Sequence, residues 1–186
     1  LFFSLRLNSI YSYSLGANQI TNNIKPVIIV GDDIDYPPYS FIDENGEAAG
    51  FNIDLIEAVA EVMGLEIELR LGNWNSITTM LKNGEIDIIS GMFYSIDRSK
   101  DFSFTTNHTV ASGDIFTRDS ITVNSLEELA GQRVVVQSND IVHEFLLEKG
   151  LDIEFIEVPT VIEALRLVAS GEYDYAAVLK VPGYYL

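Results

Sequence analysis

The sequence contains no cysteine and a single tryptophan, and its 186 residues include only 11 Lys and Arg against 28 Asp and Glu. The missing cysteines exclude disulfides, thiolate metal ligands and a cysteine nucleophile, and they suit an extracytoplasmic bacterial protein. The formal net charge of −17 argues against nucleic acid and anionic membrane surfaces, because both are bound through clustered basic side chains. The hydrophobic content of 47% is that of a folded protein, so the acidity does not indicate a disordered tail.

Common catalytic and cofactor motifs are also missing. The sequence has no GxGxxG and no GxxxxGK[ST], which removes the usual phosphate-binding loops, and no GxSxG nucleophile elbow. Its two histidines, His108 and His143, lack metal-binding spacing, and the loop around Asp33 and Asp35 lacks the twelve-residue calcium pattern. We therefore expect no metal, no cofactor and no catalytic residue.

The two ends of the sequence differ from the rest. Residues 1–25 begin apolar and become rich in Ser and Asn, which predicts a signal-peptide remnant or a flexible leader. Arg6 and Asn8 interrupt the apolar run, so it does not form a transmembrane helix as it stands. The last residues, VPGYYL, carry no polar tail and suggest a fold that continues.

Regular hydrophobic patterns begin at residue 26. Residues 27–30 form an apolar β-branched run, residues 52–63 repeat apolar side chains at helical spacing, and residues 65–71 alternate strictly. A short helix before Gly84 and a strand at residues 86–91 complete a β-α-β-α-β order, which favours a parallel sheet. The second half repeats this order, with capping boxes predicted at residues 125–128 and 160–163.

Polar and aromatic side chains collect where the predicted strands end. Ligands of open α/β sheets bind outside the carboxyl ends of the strands. The predicted binding residues are Asp33, Tyr36, Trp74, Gly91, Phe93, Arg98, Gln137, Ser138, Asn139 and Asp140. An arginine grips a carboxylate with two parallel hydrogen bonds and helix N–H groups add to it, so this set predicts a small organic acid or zwitterion as ligand.

The order of several short motifs resembles the bacterial extracellular solute-binding proteins of the polar amino-acid-binding type. These motifs are YPPYSF (36–41), GFNIDL (50–55), NWNSI (73–77), GEIDIISGM (84–92), Arg98, DFS (101–103), SLEELAG (125–131) and GEYD (171–174). The resemblance implies an α/β, two-lobed, type II periplasmic-binding-protein-like fold that closes on its ligand like a hinge. Lobe one would span residues 26–108 and lobe two residues 109–186.

The resemblance also implies roles for the binding residues. Arg98 would hold the ligand carboxylate, Tyr36 and Trp74 would sandwich its body, and the turn at residues 137–140 would complete the site. Two departures favour a carboxylate without an amine, or an aromatic acid. Phe93 stands where amino-acid binders have Ser or Thr, and Leu179-Lys180 stands where they place an Asp for the amino group.

A third departure concerns length, because the family continues beyond this chain and returns to lobe one. Lobe one would then lack a strand, and either the chain is part of a longer protein or a neighbouring chain covers the gap by dimerisation or swapping. Residues 91–95 resemble versions of the domain found in membrane-bound sensor kinases and cyclases. We therefore predict a periplasmic or extracellular sensory domain, with an importer component, a dehydratase-like enzyme and an interaction domain without ligand as alternatives.

Overall fold

The computed structural model describes residues 2–5, 26–118 and 120–186, with the backbone alone for Phe2–Leu5. The strands are β1 (Phe2–Leu5), β2 (Val27–Asp33), β3 (Asp35–Tyr36), β4 (Ser40–Ile42), β5 (Ala48–Ala49), β6 (Glu66–Gly72), β7 (Ile88–Met92), β8 (Ser103–Phe104), β9 (Gly113–Thr117), β10 (Arg133–Gln137), β11 (Glu154–Val158) and β12 (Tyr175–Leu179). The helices are α1 (Phe51–Met63), α2 (Trp74–Asn83), α3 (Arg98–Asp101), α4 (Ile141–Glu148), α5 (Val161–Ala169) and α6 (Lys180–Tyr185), with a 3-10 helix at Leu126–Leu129.

Lobe one is built on a five-stranded sheet in the order β6-β2-β7-β1-β8. Strand β2 runs parallel to β6 and β7, with α1 and α2 as the crossovers, so the predicted β-α-β-α-β order is confirmed. A small antiparallel sheet of β3, β4 and β5 follows the end of β2. The term lobe one denotes these two sheets together with helices α1 to α3.

The helices of lobe one form where the apolar spacing predicts them. Helix α1 buries Ile53, Ile56 and Ala60, and it ends at Gly64, whose φ of 64° is the left-handed conformation that glycine adopts easily. The spacing of Ile77, Met80 and Leu81 predicts helix α2, with Trp74 in a short loop before it. Trp74 is instead the first residue of α2, because the Asn73 side chain caps the helix by accepting a hydrogen bond from Asn75 N.

The strand β1 comes from the segment that the sequence predicts to be a leader. It lies between β7 and β8 and is antiparallel to both, with Phe2 opposite Met92 and Leu5 opposite Ile88 on β7. The prediction of an incomplete lobe-one sheet did not anticipate this strand. Leu1 and residues 6–25, the rest of the predicted leader, lie outside the described residues.

Lobe two is built on a four-stranded sheet in the order β11-β10-β12-β9. Strand β10 is parallel to both neighbours, and β9 is antiparallel to β12, a direction that the sequence pattern does not specify. Helices α4 and α5 pack on this sheet around fully buried Val134, Val135 and Val136. The term lobe two denotes this sheet together with helices α4 to α6 and the 3-10 helix.

Two capping boxes are predicted in lobe two, and they have different outcomes. Thr160 caps α5 by accepting a hydrogen bond from Glu163 N at 3.2 Å, as predicted. Ser125 makes no side-chain capping bond, and the segment after it is a four-residue 3-10 helix. Glu128 Oε2 instead accepts a hydrogen bond from Asn124 N at 3.1 Å, so the side chain that bonds to the backbone at this helix start is that of the acid and not that of the serine.

The two lobes are packed against each other. Tyr36 and Tyr39, which follow the end of β2, belong to the same buried cluster as the core of lobe two. The cleft between the lobes is therefore lined by the carboxyl ends of strands from both sheets. Within the described part of the chain, no helix has both the length and the apolar character needed to cross a membrane.

Candidate functional site

The cleft encloses a cavity of about 20 Å³ at the strand ends. Its lining residues are Asp32, Asp33, Tyr36, Asn52, Trp74, Gly91, Phe93, Arg98, Gln137 and Asp140. Eight of the ten sequence-predicted residues are among them, and the exceptions are Ser138 and Asn139. A volume of this size holds about one water molecule, so an organic ligand needs the lobes further apart than they are here.

Asp33 and Gln137 join the lobes at the bottom of the cleft. Gln137 Nε2 donates to Asp33 Oδ2 at 2.7 Å, and Asp33 Oδ1 accepts from Asp35 N at 3.0 Å. Burial removes the carboxylate from water, which disfavours the charged form and raises the pKa of Asp33 to about 7, against the lowering effect of these hydrogen bonds. Asp33 therefore titrates in the physiological range.

Asp32 lies beside Asp33 but bonds within lobe one. Its Oδ2 accepts from Ser90 Oγ at 2.5 Å and from Asn52 Nδ2 at 3.0 Å. Burial is the dominant cause that raises the pKa of Asp32 to about 6, while these donors lower it. The sequence did not single out Asp32 or Asn52 as site residues.

Asp140 brings a third buried carboxyl to the cleft from lobe two. It caps α4 by accepting from Val142 N at 2.9 Å, and it accepts from Tyr36 Oη at 3.3 Å across the cleft. Burial raises the pKa of Asp140, and the nearby Arg98 charge works in the opposite direction. This residue therefore has both a structural and an interlobe role.

Arg98 is buried at the start of α3, and its donors are taken by protein groups. Its Nε donates to both Glu144 carboxylate oxygens, at 2.9 and 3.1 Å. Its Nη1 donates to Phe93 O at 3.1 Å, and its Nη2 donates to Asn139 O at 2.8 Å. In this conformation Arg98 therefore bonds to Glu144 of lobe two and to two backbone carbonyls, and its assignment to a ligand carboxylate stays a prediction.

Trp74 contributes a further interlobe bond. Its indole Nε1 donates to Asn139 O at 3.0 Å, and the Arg98 guanidinium lies 5.4 Å from its ring. Asn139 has a φ of 57°, which turns its carbonyl toward both of these donors, and its Nδ2 donates to Asn75 Oδ1 at 2.7 Å. Asn139 therefore acts through its backbone, while its side chain contacts the rim of lobe one.

The polar atoms that remain unpaired in the cleft are acceptors. Asn52 and Gln137 are 1% and 2% exposed, and their amide groups donate to Asp32 and Asp33. The opposite atoms, Asn52 Oδ1 and Gln137 Oε1, are buried without a hydrogen-bond partner. An amide flip would place two acceptors face to face, so these orphan atoms are carbonyl oxygens. The cleft therefore favours a ligand group that donates hydrogen bonds.

The family model of the bacterial extracellular solute-binding proteins, family 3, matches residues 28–140. The chain belongs to this family. The resemblance drawn from the ordered motifs is thereby confirmed.

This solute-binding chain is similar to a sensor domain and to arginine-binding proteins. A histidine kinase sensor domain with similarity to periplasmic binding proteins matches with a TM-score of 0.83 and 43% identity, covering 88% of this chain and 72% of that one. An ancestral arginine-binding protein bound to glutamine matches with a TM-score of 0.80 and 26% identity, covering 87% and 73%. The arginine-binding extracellular protein ArtP of Bacillus subtilis (strain 168) is 31% identical over 129 residues, or 69% of this chain and 50% of its own length.

These matches confirm the α/β two-lobed fold of the periplasmic-binding-protein type. The chain spans about half the length of the curated relatives it matches, 47% of one and 50% of another. These three relatives are named for solute binding or sensing, whereas another relative, the membrane-bound lytic murein transglycosylase F of Idiomarina loihiensis, is named for a reaction and is 28% identical over 147 residues.

The remaining sequence-predicted positions of this solute-binding chain lie at the edge of the cleft. Ser138 Oγ donates to Glu157 Oε2 at 2.5 Å, which directs the side chain along β11 instead of into the cavity. Gly91 and Phe93 both line the cavity. Leu179 is 3% exposed, so the position expected to replace an amine-binding Asp is an apolar core position.

Glu144 is a further residue at the interface of the two lobes that the sequence did not single out. It lies in the first turn of α4, four residues after Asp140, and a single Glu in a helix normally indicates a solvated face. A second cavity, of about 360 Å³, borders both Glu144 and Arg98. Its lining residues are Trp74, Asn75, Thr78, Thr79, Lys82, Met92, Asp97, Arg98, Asp101, Phe102, Asn139 and Glu144.

Two acidic residues near the start of β12, Asp174 and Glu172, do not reach the cleft. Asp174 pairs with Arg118 at the amino end of β12, and Glu172 is exposed nearby. Across residues 26–118 and 120–186, no three Asp, Glu or His side chains lie close enough together to hold a metal ion.

Proposed function

We propose that the chain is the extracytoplasmic sensory domain of a membrane receptor, such as a histidine kinase or a diguanylate cyclase. Its two lobes close on a small organic ligand that carries a carboxylate. The family and its relatives act outside the cytoplasm by name, which supports this location. The observation that carries the proposal is the cleft itself, where both lobes direct buried polar side chains at one point.

The chemistry of the cleft narrows the ligand. Arg98 is the cationic group among the cavity-lining residues, and its position suits a carboxylate once Glu144 moves away. Asp33, Asp140 and the orphan oxygen of Gln137 are acceptors, so the ligand also needs a donor such as a hydroxyl or an ammonium group. This chemistry keeps amino-acid-like compounds among the candidates, beside the acids without an amine that the sequence favours.

The test is a thermal-shift titration with amino acids, the matching hydroxy acids and aromatic acids. We expect one class to raise the melting temperature and Arg98→Ala to abolish the shift. Breaking a buried charged hydrogen bond costs about 2–5 kcal/mol, or more than about 30-fold in affinity. Arg98→Lys keeps the charge without the fork and should also weaken binding, whereas Arg166→Ala, an exposed arginine on α5, should bind as the wild type does.

A full ligand response in Arg98→Ala would refute the role assigned to this arginine. An absence of any response in the wild type across the panel would favour an interaction domain without ligand. The small cavity and the occupied Arg98 are the observations that favour that alternative.

A receptor and an importer component use the same cleft, and the comparisons support both. The sensor domain is 43% identical to this chain, against 31% and 26% for the amino-acid-binding relatives, which favours the receptor. The encoded sequence after Leu186 separates the two, because a membrane span followed by a kinase or cyclase domain is expected only for the receptor.

An enzyme on the same scaffold is the third candidate. It requires a second carboxyl in the cleft beyond Asp33, and Asp140 meets that requirement with a raised pKa. We propose binding without turnover, since the family and the arginine-binding relative are named for binding. Mass spectrometry of the bound compound after prolonged incubation would detect conversion and overturn this choice.

A further inference from the structure

The contact between Arg98 and Glu144 reproduces inside the protein the bond that a carboxylate ligand would make. Arg98 belongs to lobe one and Glu144 to lobe two, and one guanidinium nitrogen lies within 3.1 Å of both carboxylate oxygens. Ser95 Oγ of lobe one adds a third bond, donating to Glu144 Oε2 at 3.3 Å. Glu144 is therefore held by lobe one through one guanidinium N–H that its two oxygens share, and through a hydroxyl.

The pair is shielded from water on the arginine side. The Arg98 side chain is 7% exposed and the Glu144 side chain is 30% exposed. A charged hydrogen bond that excludes water on one side is stronger than a surface ion pair, which contributes little. The pair can therefore influence how far apart the lobes stay.

Among the described residues of its own lobe, Glu144 has no comparable side-chain partner. The hydrogen bonds and the ion pair that its carboxylate makes all lead to Arg98 and Ser95 of lobe one. Opening of the cleft releases the carboxylate to water and frees Arg98 for another acid. The same carboxylate cannot stay on Arg98 while a ligand carboxylate takes its place.

We propose that Glu144 is a built-in competitor for the ligand carboxylate, which holds the lobes together through Arg98 and sets the concentration at which an acid can bind. The proposal rests on the proposed function for its ligand, but the closing role of Glu144 does not need one. An acid binds by displacing Glu144, and removal of Glu144 increases the affinity of the cleft for carboxylates.

Trp74 provides the reporter for the first experiment, because it is the single tryptophan and its indole bonds to lobe two. Glu144→Ala should shift its emission to longer wavelength as the ring, 8% exposed here, meets water. Small-angle scattering should give a radius of gyration above the value of about 16 Å expected for a compact chain of 186 residues. Glu148→Ala removes the same charge from an exposed position on the same helix and should leave both readouts unchanged.

Sodium acetate is the probe for the competition. In Glu144→Ala, acetate should restore the wild-type emission and radius, and sodium chloride at equal ionic strength should not. Acetate should bind this variant about tenfold or more tightly than the wild type, within the usual range for coupled sites. Glu144→Gln keeps the size and serves as the second variant if the alanine variant unfolds by circular dichroism.

Unchanged emission and radius in a folded Glu144 variant would overturn the proposal. Opening that acetate does not reverse, or that chloride reverses equally, would overturn the competitor role. If no compound of the thermal-shift panel raises the melting temperature, only the proposed function is refuted. The acetate experiment is independent of that result, because it uses no ligand from the panel.

Discussion

Replacing Asp33 with Asn should remove most of the pH dependence of stability between pH 5 and pH 8. Burial raises the pKa of Asp33 from 3.8 to about 7 in the folded state. The folded protein then binds more protons than the unfolded chain between these values, so stability falls as the pH rises. This contribution is fully present below about pH 4 and is lost as the pH passes about 7.

The magnitude follows from the two pKa values. At pH 5 the carboxyl lies about two pH units below its folded-state pKa, which stabilises the fold by about 2.7 kcal/mol relative to pH 8 at 1.36 kcal/mol per unit. Asp32, with a pKa of about 6, adds about 1.4 kcal/mol over the same range. The Asp33→Asn variant should therefore retain about a third of the combined effect of the two residues.

The variant should fold, because Asn satisfies the same neighbours. Its Oδ1 can accept from Asp35 N, and its amide can donate to Gln137 Oε1, which has no partner in the wild type. The assay is urea unfolding at pH 5 and pH 8, followed by far-ultraviolet circular dichroism and extrapolated to water. Asp152→Asn removes an exposed carboxylate from lobe two and serves as the charge control. Equal pH dependence in the wild type and Asp33→Asn would refute the reasoning.

Two further substitutions test the interlobe turn and a helix cap. Asn139→Ala should destabilise the protein by about 1 kcal/mol, because Ala lacks the short polar side chain that lets Asn tolerate the left-handed φ of 57°. Asn139→Gly adopts this φ without strain. An equal loss of stability in both variants would show that the side-chain bond to Asn75 matters instead. Thr160→Ala should cost about 1 kcal/mol in urea unfolding through the lost bond to Glu163 N, and Thr160→Ser should retain most of it. An unchanged urea midpoint in Thr160→Ala would show that this helix cap does not stabilise the protein.

Hydrophobic periodicity predicted the elements of both lobes, because each lobe buries one face of its sheet under amphipathic helices. The strand-end rule then selected Asp33 and Gln137, which the structure brings within 2.7 Å of each other. Their role in ligand binding stays a prediction. The rule works here because β2 and β10 end at the same cleft. The topology of the sheets determines which strand ends lie together, and this can be inferred before any distance between side chains is known.

The residues that sequence reasoning missed depend on contacts between the lobes. Glu144 looks like a solvated helix position, and only the closeness of α4 to α3 makes it the partner of Arg98. Asn52 carries no signal by itself, since its function is to donate to Asp32, a residue twenty positions earlier. The strand β1 was missed for a related reason, because pairing in a sheet depends on distant strands rather than on local pattern.

The electrostatics of the cleft explain how so acidic a chain can receive an acid. Arg98 faces Glu144 directly, with Asp33 and Asp140 close by, so full ionisation would leave the cleft strongly negative. The raised pKa of Asp33 reduces that charge, because a protonated carboxyl is neutral and still accepts the Gln137 hydrogen bond. Exchange of Glu144 for a ligand carboxylate then leaves the charge beside Arg98 unchanged. The net charge of −17 is a sum over the whole chain, whereas under the proposed competition the affinity of the cleft for acids depends on this one-for-one exchange at a single arginine.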